Sequence, residues 1–216
     1  MKKLSKNYKY IIFDFDGTIN NTSPGIYATF TKVLERYGVD ASVIDLSEHI
    51  GPPLTDSYTR LLGAEKCLEA IELHKKVYAE INAIENSFLY EGIVEVLEQL
   101  YASGKYVLSI ASSKYEPHAI TSLKYHKLTK YFAYVYGQTE QRGFKAEVLR
   151  QLIEDNGFDK SQCLMIGDTM HDVDGACSNG IDVVAVTYGF GKREDLEQAN
   201  VVAICDNPHQ ILELLL

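Results

Sequence analysis

A chain of 216 residues with 46% hydrophobic and 24% charged side chains can bury a substantial core, as one domain or as a domain with a smaller companion. Its formal net charge of −9 argues against binding to nucleic acid polymers, and any phosphate site must supply its own local positive charge. Four scattered cysteines, Cys67, Cys163, Cys177 and Cys205, offer neither zinc spacing nor a disulfide framework and point to reduced thiols in a cytoplasmic compartment.

The chain starts with lysines at Lys2, Lys3 and Lys6, followed by the apolar run Tyr10-Ile11-Ile12-Phe13. Four residues are too few for a signal peptide or a membrane span, so no membrane association is expected. The run reads as a buried strand that ends in Asp14-Phe15-Asp16-Gly17-Thr18. Side chains alternate along a strand, so two carboxylates two residues apart point in the same general direction. Gly17 permits a sharp turn and Thr18 offers a hydroxyl to hold it. Converging carboxylates repel each other and call for a cation or a shared proton. Mg²⁺ fits, because one or two carboxylates hold it while water and substrate oxygens complete its shell.

From about Asn20 to Asn86 the sequence shows helical periodicity and no convincing strand. Ile26, Phe30, Val33, Leu34 and Tyr37 form one stripe after the helix-opening Ser23-Pro24, and Ile71, His74, Tyr78 and Ile81 form another. Gly51-Pro52-Pro53 separates them, with a new helix beginning at Thr55-Asp56. An all-helical insert directly after the first strand is expected above that strand's carboxyl end, where ligands bind in open parallel sheets. It reads as a cap.

Strands and helices alternate thereafter. Tyr106–Ala111, Phe132–Tyr136, Cys163–Ile166, Asp182–Val186 and Val201–Ile204 are the remaining strand candidates. Helical spacing appears at Ile93, Val96, Leu97 and Leu100, and again at Val148, Leu149, Leu152 and Ile153. The expected fold is therefore α/β: a doubly wound, Rossmann-like parallel sheet, with a small all-helical cap domain inserted after the first strand. The core takes residues 1–18 and 87–216, and the cap takes 19–86.

Three more segments fall at predicted strand ends. Ser112-Ser113-Lys114 follows the second strand and offers hydroxyls and amides to an oxyanion. Lys145 opens the helix after the third, behind Gly143, with Arg142 as a nearby competing cation. Gly167-Asp168 ends the fourth, and Asp172 follows four residues on, where it also suits a helix start. Lys114 and His171 are expected to be solvated, since Mg²⁺ prefers oxygen ligands and no second histidine is near. A nucleophilic carboxylate (Asp14), an acid/base (Asp16), a cation and oxyanion donors together suit phosphoryl transfer.

These residues resemble the haloacid dehalogenase-like hydrolase superfamily, whose four motifs are similar to Asp14-Phe15-Asp16-Gly17-Thr18, Ser112, Lys145 and Gly167-Asp168 with Asp172. The resemblance covers essentially the whole chain. Within the superfamily it is closest in character to the phosphoglycolate-phosphatase-like branch, through Ile50-Gly51-Pro52-Pro53-Leu54, Phe88-Leu89-Tyr90-Glu91-Gly92 and Thr187-Tyr188-Gly189-Phe190-Gly191. It implies Asp14 as nucleophile and Asp16 as general acid/base. Asp14, the main-chain carbonyl of Asp16, and Asp168 would hold Mg²⁺, with Asp172 in support, and Ser112, Ser113 and Lys145 would bind the transferring phosphoryl group. Phe15 replaces the family's usual Leu, and Asn21-Thr22 its usual Asp-Ser pair. The expected activity is Mg²⁺-dependent hydrolysis of a small phosphorylated metabolite, of phosphoglycolate or nucleoside-monophosphate type. The alternatives are a β-phosphoglucomutase-like phosphotransferase and a phospho-accepting signalling or binding module.

Overall fold

The structure is a computed structural model that describes residues 3–216; Lys2, noted above, lies outside the described residues. The strands are β1 (Tyr10–Phe13), β2 (Asn20–Asn21), β3 (Phe88–Leu89), β4 (Val107–Tyr115), β5 (Tyr134–Gln138), β6 (Cys163–Gly167), β7 (Asp182–Val186) and β8 (Ala203–Cys205). The helices are α1 (Ser23–Arg36), α2 (Leu54–Leu62), α3 (Ala64–Glu80), α4 (Ile93–Ala102) and α5 (Glu116–Tyr125). They continue with α6 (Lys145–Asp155), α7 (Met170–Asn179), α8 (Arg193–Gln198) and α9 (His209–Leu215). Two compact units result, one of Met1–Asn20 with Leu89–Leu216, the other of Asn21–Phe88. The two-residue strands β2 and β3 pair where the chain passes between the units.

The first unit is a six-stranded sheet in the order β5-β4-β1-β6-β7-β8, with every neighbouring pair parallel. Its strands are apolar on both faces because both faces are covered. Ile11 and Phe13 of β1 face a core that contains Ile93, Val96, Leu97 and Leu100 of α4 and Ile211 and Leu214 of α9. Ile12 faces the opposite core, with Val148, Leu149, Leu152 and Ile153 of α6 and Val173 and Ala176 of α7. The same alternation divides Leu164 and Ile166 from Cys163 and Met165 on β6. This is the doubly wound arrangement. The chain order reverses around β1, flanked by β4 and β6, which makes the carboxyl ends of these three strands the natural crevice.

The second unit is a helical bundle around Phe30, Val33, Tyr58, Cys67, Ala70 and Val77. Helix α1 opens at Ser23 with Pro24 in its first turn. Among the described residues no helix is long and apolar enough to cross a membrane.

Four strand expectations shift, β6 by a single residue, since it runs on to Gly167. β5 begins at Tyr134 rather than Phe132, because the 3₁₀ turn Thr129–Tyr131 lies just before it and draws Tyr131 and Phe132 into the core. β8 runs Ala203–Cys205, not Val201–Ile204. β4 continues to Tyr115, so Ser112, Ser113 and Lys114 lie within the strand rather than after it, with a register shift against β5 between Ala111 and Tyr115. Asn20–Asn21 adds a two-residue strand where only helix was expected.

Candidate active site

At the carboxyl end of β1, the Asp14 amide donates to the Ile166 carbonyl at 2.8 Å, which fixes the backbone just before the side chain turns inward. Phe15 is fully buried and anchors the segment between the two aspartates. The Asp14 Oδ1 atom lies 2.7 Å from Lys145 Nζ. Lys145, the first residue of α6, also reaches Asp172 Oδ1 at 2.8 Å and donates to the Ala111 carbonyl at 2.9 Å. The two carboxylate contacts are ion pairs, and the hydrogen bond of the ammonium goes to the Ala111 carbonyl. In this arrangement Lys145 bridges Asp14 and Asp172.

Asp172 occupies the first turn of α7, and its other oxygen accepts from the Thr169 amide at 3.0 Å and the Thr169 hydroxyl at 2.9 Å. It is at once a helix cap and part of the buried carboxylate cluster. Asp168, the next residue after β6, accepts from Thr18 Oγ1 at 3.0 Å and from the Phe190 amide at 2.8 Å. The packing leaves no room for a side chain around it: a Cβ on Gly17 or Gly189 would collide with the Asp168 side chain. Gly17 also carries φ +89°, which favours glycine on its own account.

Asp14, Asp168 and Asp172 are all buried, and their ligand oxygens come within 4.8 Å of one another. Burial pushes the Asp14 carboxyl up to about 7; Lys145 opposes this, while Asp172 and Asp16 add to it. Burial first, then the charges of Asp172 and Asp14, raises Asp168 well above the usual carboxylate range. For Lys145, burial would lower the ammonium, but Asp14 and Asp172 outweigh it and hold it above its usual range. With all three carboxylates ionised, the single ammonium leaves two negative charges uncompensated. A divalent cation supplies that deficit, and an all-oxygen donor set selects a hard one. The residues present fit such an ion.

The Asp16 carboxylate lies outside this cluster, so among its groups only the main-chain carbonyl is left as the metal ligand expected from this residue. Its side chain instead pairs with Lys114, whose Nζ lies 3.1 Å from Oδ2 and 3.3 Å from Oδ1. Lys114 was expected in solvent; its side chain is only 6% exposed, because the extension of β4 carries it inward. Ser112 is buried and its Oγ accepts from the Lys114 amide at 3.2 Å, which leaves the hydroxyl proton for another acceptor. Ser113 is half-buried on the same strand, and His171 is exposed as expected. Arg142 does not join the cluster: it donates to Glu116 Oε2 at 2.6 Å and lies over the Tyr136 ring.

Besides Lys114, the amide of Phe190 and the phenol of Tyr188, which donates to the Thr18 carbonyl at 3.0 Å, were missed as site groups. Gly189 and Gly191 on either side of Phe190 were the available signal, since a Cβ at either would strike Asp168.

A parallel α/β sheet with a buried aspartate–lysine cluster at its central strand tips defines the class. Residues 11–186 match the haloacid dehalogenase-like hydrolase family, and the chain belongs to it. It is similar to a 5'-nucleotidase of Pseudomonas aeruginosa, 32% identical over 210 residues that cover 95% of this chain and 94% of the relative. It is also 32% identical to the tyrosine-protein kinase PtkA of Mycobacterium tuberculosis over 90% of this chain and 67% of the relative. Phosphoglycolate phosphatases are among its relatives as well, which puts it in that branch. In structure it is similar to the haloacid dehalogenase-like hydrolase SP0104 of Streptococcus pneumoniae, with TM-score 0.88, 30% identity, and coverage of 95% and 97% of the two chains. The chain is an enzyme, a phosphoric monoester hydrolase of this family.

Proposed function

We propose that the chain is a Mg²⁺-dependent phosphatase of small phosphomonoesters that works through an aspartyl-phosphate on Asp14. The observation that carries the reading is the buried carboxylate of Asp14, held by Lys145 beside two further aspartates at the tip of the central strand. Asp14 and Asp168, with the Asp16 carbonyl, would hold the ion, and Asp172 would support it through Lys145. When bound, Mg²⁺ offsets the charge that builds on the phosphoryl oxygens.

The remaining chemistry falls to the chain's own residues. Asp14 attacks phosphorus, and the bond to the leaving oxygen breaks as Asp16 gives that oxygen its proton. Asp16 then takes a proton from the water that cleaves the acyl-phosphate, returning Asp14 to a carboxylate. The Ser112 hydroxyl donates to a phosphoryl oxygen with Ser113 beside it, and Lys145 turns to the phosphoryl group as Asp14 becomes an acyl phosphate. Asn21–Phe88 would be the unit that selects the substrate.

The names of the relatives favour a nucleoside monophosphate or phosphoglycolate as substrate, and the four free cysteines suit the cytoplasm. Phosphate release from a panel of phosphorylated metabolites, with and without EDTA, tests the reading; release that EDTA leaves untouched would refute the metal dependence. The likeness to PtkA favours one second reading, transfer of the phosphoryl group from Asp14 to an acceptor hydroxyl, as in a β-phosphoglucomutase-like phosphotransferase. Substrate consumption without matching free phosphate would decide for it.

A further inference from the structure

We propose that Lys114 is the positioning residue of the acid/base: it fixes where the Asp16 carboxylate points, an inference that rests on the phosphatase reading above. Each aspartate of Asp14-Phe15-Asp16 has a lysine of its own. Lys145 takes Asp14 from α6, and Lys114 takes Asp16 from β4. The two pairs are alike in burial, with side-chain exposures of 4% and 9% for the first and 6% and 15% for the second. The pairs Lys6–Asp182, Arg36–Glu80, Arg150–Glu154 and Arg193–Glu197 all lie at the surface, where the ordering of two long side chains roughly cancels the attraction. A lysine drawn inside is different. Its contact with both oxygens of Asp16 constrains the plane of the carboxylate.

The strand that delivers Lys114 also delivers Ser112, and the two are locked together by the bond from the Lys114 amide to Ser112 Oγ. One short stretch of β4, displaced by its register shift, thus carries both the hydroxyl offered to the phosphoryl group and the cation that holds the acid. Lys114 keeps its own proton throughout; the proton that moves belongs to Asp16.

A residue that acts through the acid matters most where the acid is needed most. An alkoxide leaving group requires a proton, whereas p-nitrophenolate departs without one. The value of kcat/KM reports the steps up to loss of the leaving group, so it isolates that half of the reaction. For Lys114→Met we expect kcat/KM on an alkyl phosphomonoester to fall by roughly 10²-fold, within the range for general acid catalysis, and the fall on p-nitrophenyl phosphate to be about tenfold smaller. Lys114→Arg, which keeps the charge, should recover most of the loss. In an Asp16→Asn background, Lys114→Met should cost nothing further, because the two residues act as one unit. Circular dichroism checks the fold of each variant, and if Lys114→Met does not fold, Lys114→Gln carries the same two-substrate comparison.

Equal losses on both substrates with a raised KM would make Lys114 a substrate ligand and overturn the inference, as would additive losses in the double variant. If Asp16→Asn is inactive on the alkyl ester while Lys114→Met equals wild type, the inference alone falls. If Asp16→Asn itself keeps wild-type activity on the alkyl ester, the phosphatase mechanism falls with it.

Discussion

The two units bury polarity in opposite ways. Between Asn21 and Phe88 the buried polar side chains are Thr22, Thr29, His49, Ser57 and His74, and among the described residues there is no buried carboxylate, lysine or arginine. Two of these groups bond to neutral partners: Thr29 donates to the Gly25 carbonyl at 2.7 Å, and His74 shares a hydrogen bond with Tyr58 at 2.7 Å. The other unit buries Asp14, Lys145, Asp168 and Asp172 within one cluster. Buried charge is costly unless paired, and here the pairing is left two positive charges short. Buried charge is thus confined to the first unit, and the buried polar groups of the helical unit are neutral side chains or histidines. Changes in Asn21–Phe88 should alter stability or substrate choice, while changes in the cluster should alter the reaction itself.

The largest expected break in this division is Asp14→Asn. An amide is not a competent nucleophile, so turnover should vanish in phosphate-release assays while the fold persists. Its metal-free form should melt higher than wild type at pH 8, since one of three crowded carboxylates is gone. Near-wild-type turnover would end the covalent mechanism.

Lys145→Met comes next, with an expected loss of roughly 10²–10³ in kcat, the scale for removing one preorganised charged donor. It should also destabilise, by about 3–5 kcal/mol, because Asp14 and Asp172 lose their buried partner. Arg142→Met should cost far less in kcat, since its guanidinium is occupied by Glu116. A severe defect in Arg142→Met beside a mild one in Lys145→Met would transfer the role.

Opposite responses to pH would sharpen the contrast further. The Asp14 carboxyl is raised from an unfolded value near 4 to about 7. The stability tied to that group is therefore whole below about pH 4 and drains as pH climbs towards 7. In the metal-free protein, Asp14→Asn should flatten that part of the melting curve's pH dependence, and so should added Mg²⁺. His49 behaves inversely: burial first, then Arg60, lowers it from an unfolded value near 6.5. Its contribution is present above about pH 6.5 and is lost as pH falls below it. Limited proteolysis should show cleavage within residues 21–88 increasing as the solution is acidified. An unchanged cleavage pattern from pH 7.5 to 5 would contradict this.

Tyr58→Phe is the mildest test. It removes the bond to His74 inside the insert and should cost about 1 kcal/mol, read from thermal melting, with kcat within twofold of wild type. A collapse of kcat would show that the two units are not chemically separate.

Much of the first unit was legible in the sequence, for physical reasons that also explain the failures. β1 and β7 were found residue for residue because strands covered on both faces are uninterrupted apolar runs with polar ends. Asp14, Asp168 and Lys145 stood out because each sits where such a run, or the loop after it, stops. Lys114 did not, because β4 continues through Ser112 and Ser113 and no change of polarity marks its end at Tyr115. A lysine after two serines looks solvated unless the strand is known to carry it inward. The Phe190 contribution is a backbone amide and is silent in composition; only the two flanking glycines betray it, through the space they leave for Asp168. Of the bonded pair Tyr58 and His74, the histidine lay on a visible apolar stripe, but periodicity indicates which residues face inward and not which of them bond.

Asp172 closes the first turn of α7 with one oxygen and grips Lys145 with the other. The fraying of a helix end is thereby coupled to the integrity of the charged cluster. Each time that turn opens, Lys145 is left with one acceptor fewer and the Thr169 amide is released to solvent. Hydrogen exchange at Thr169 should accordingly follow the state of the cluster without any substrate present, and should slow when a cation tightens it.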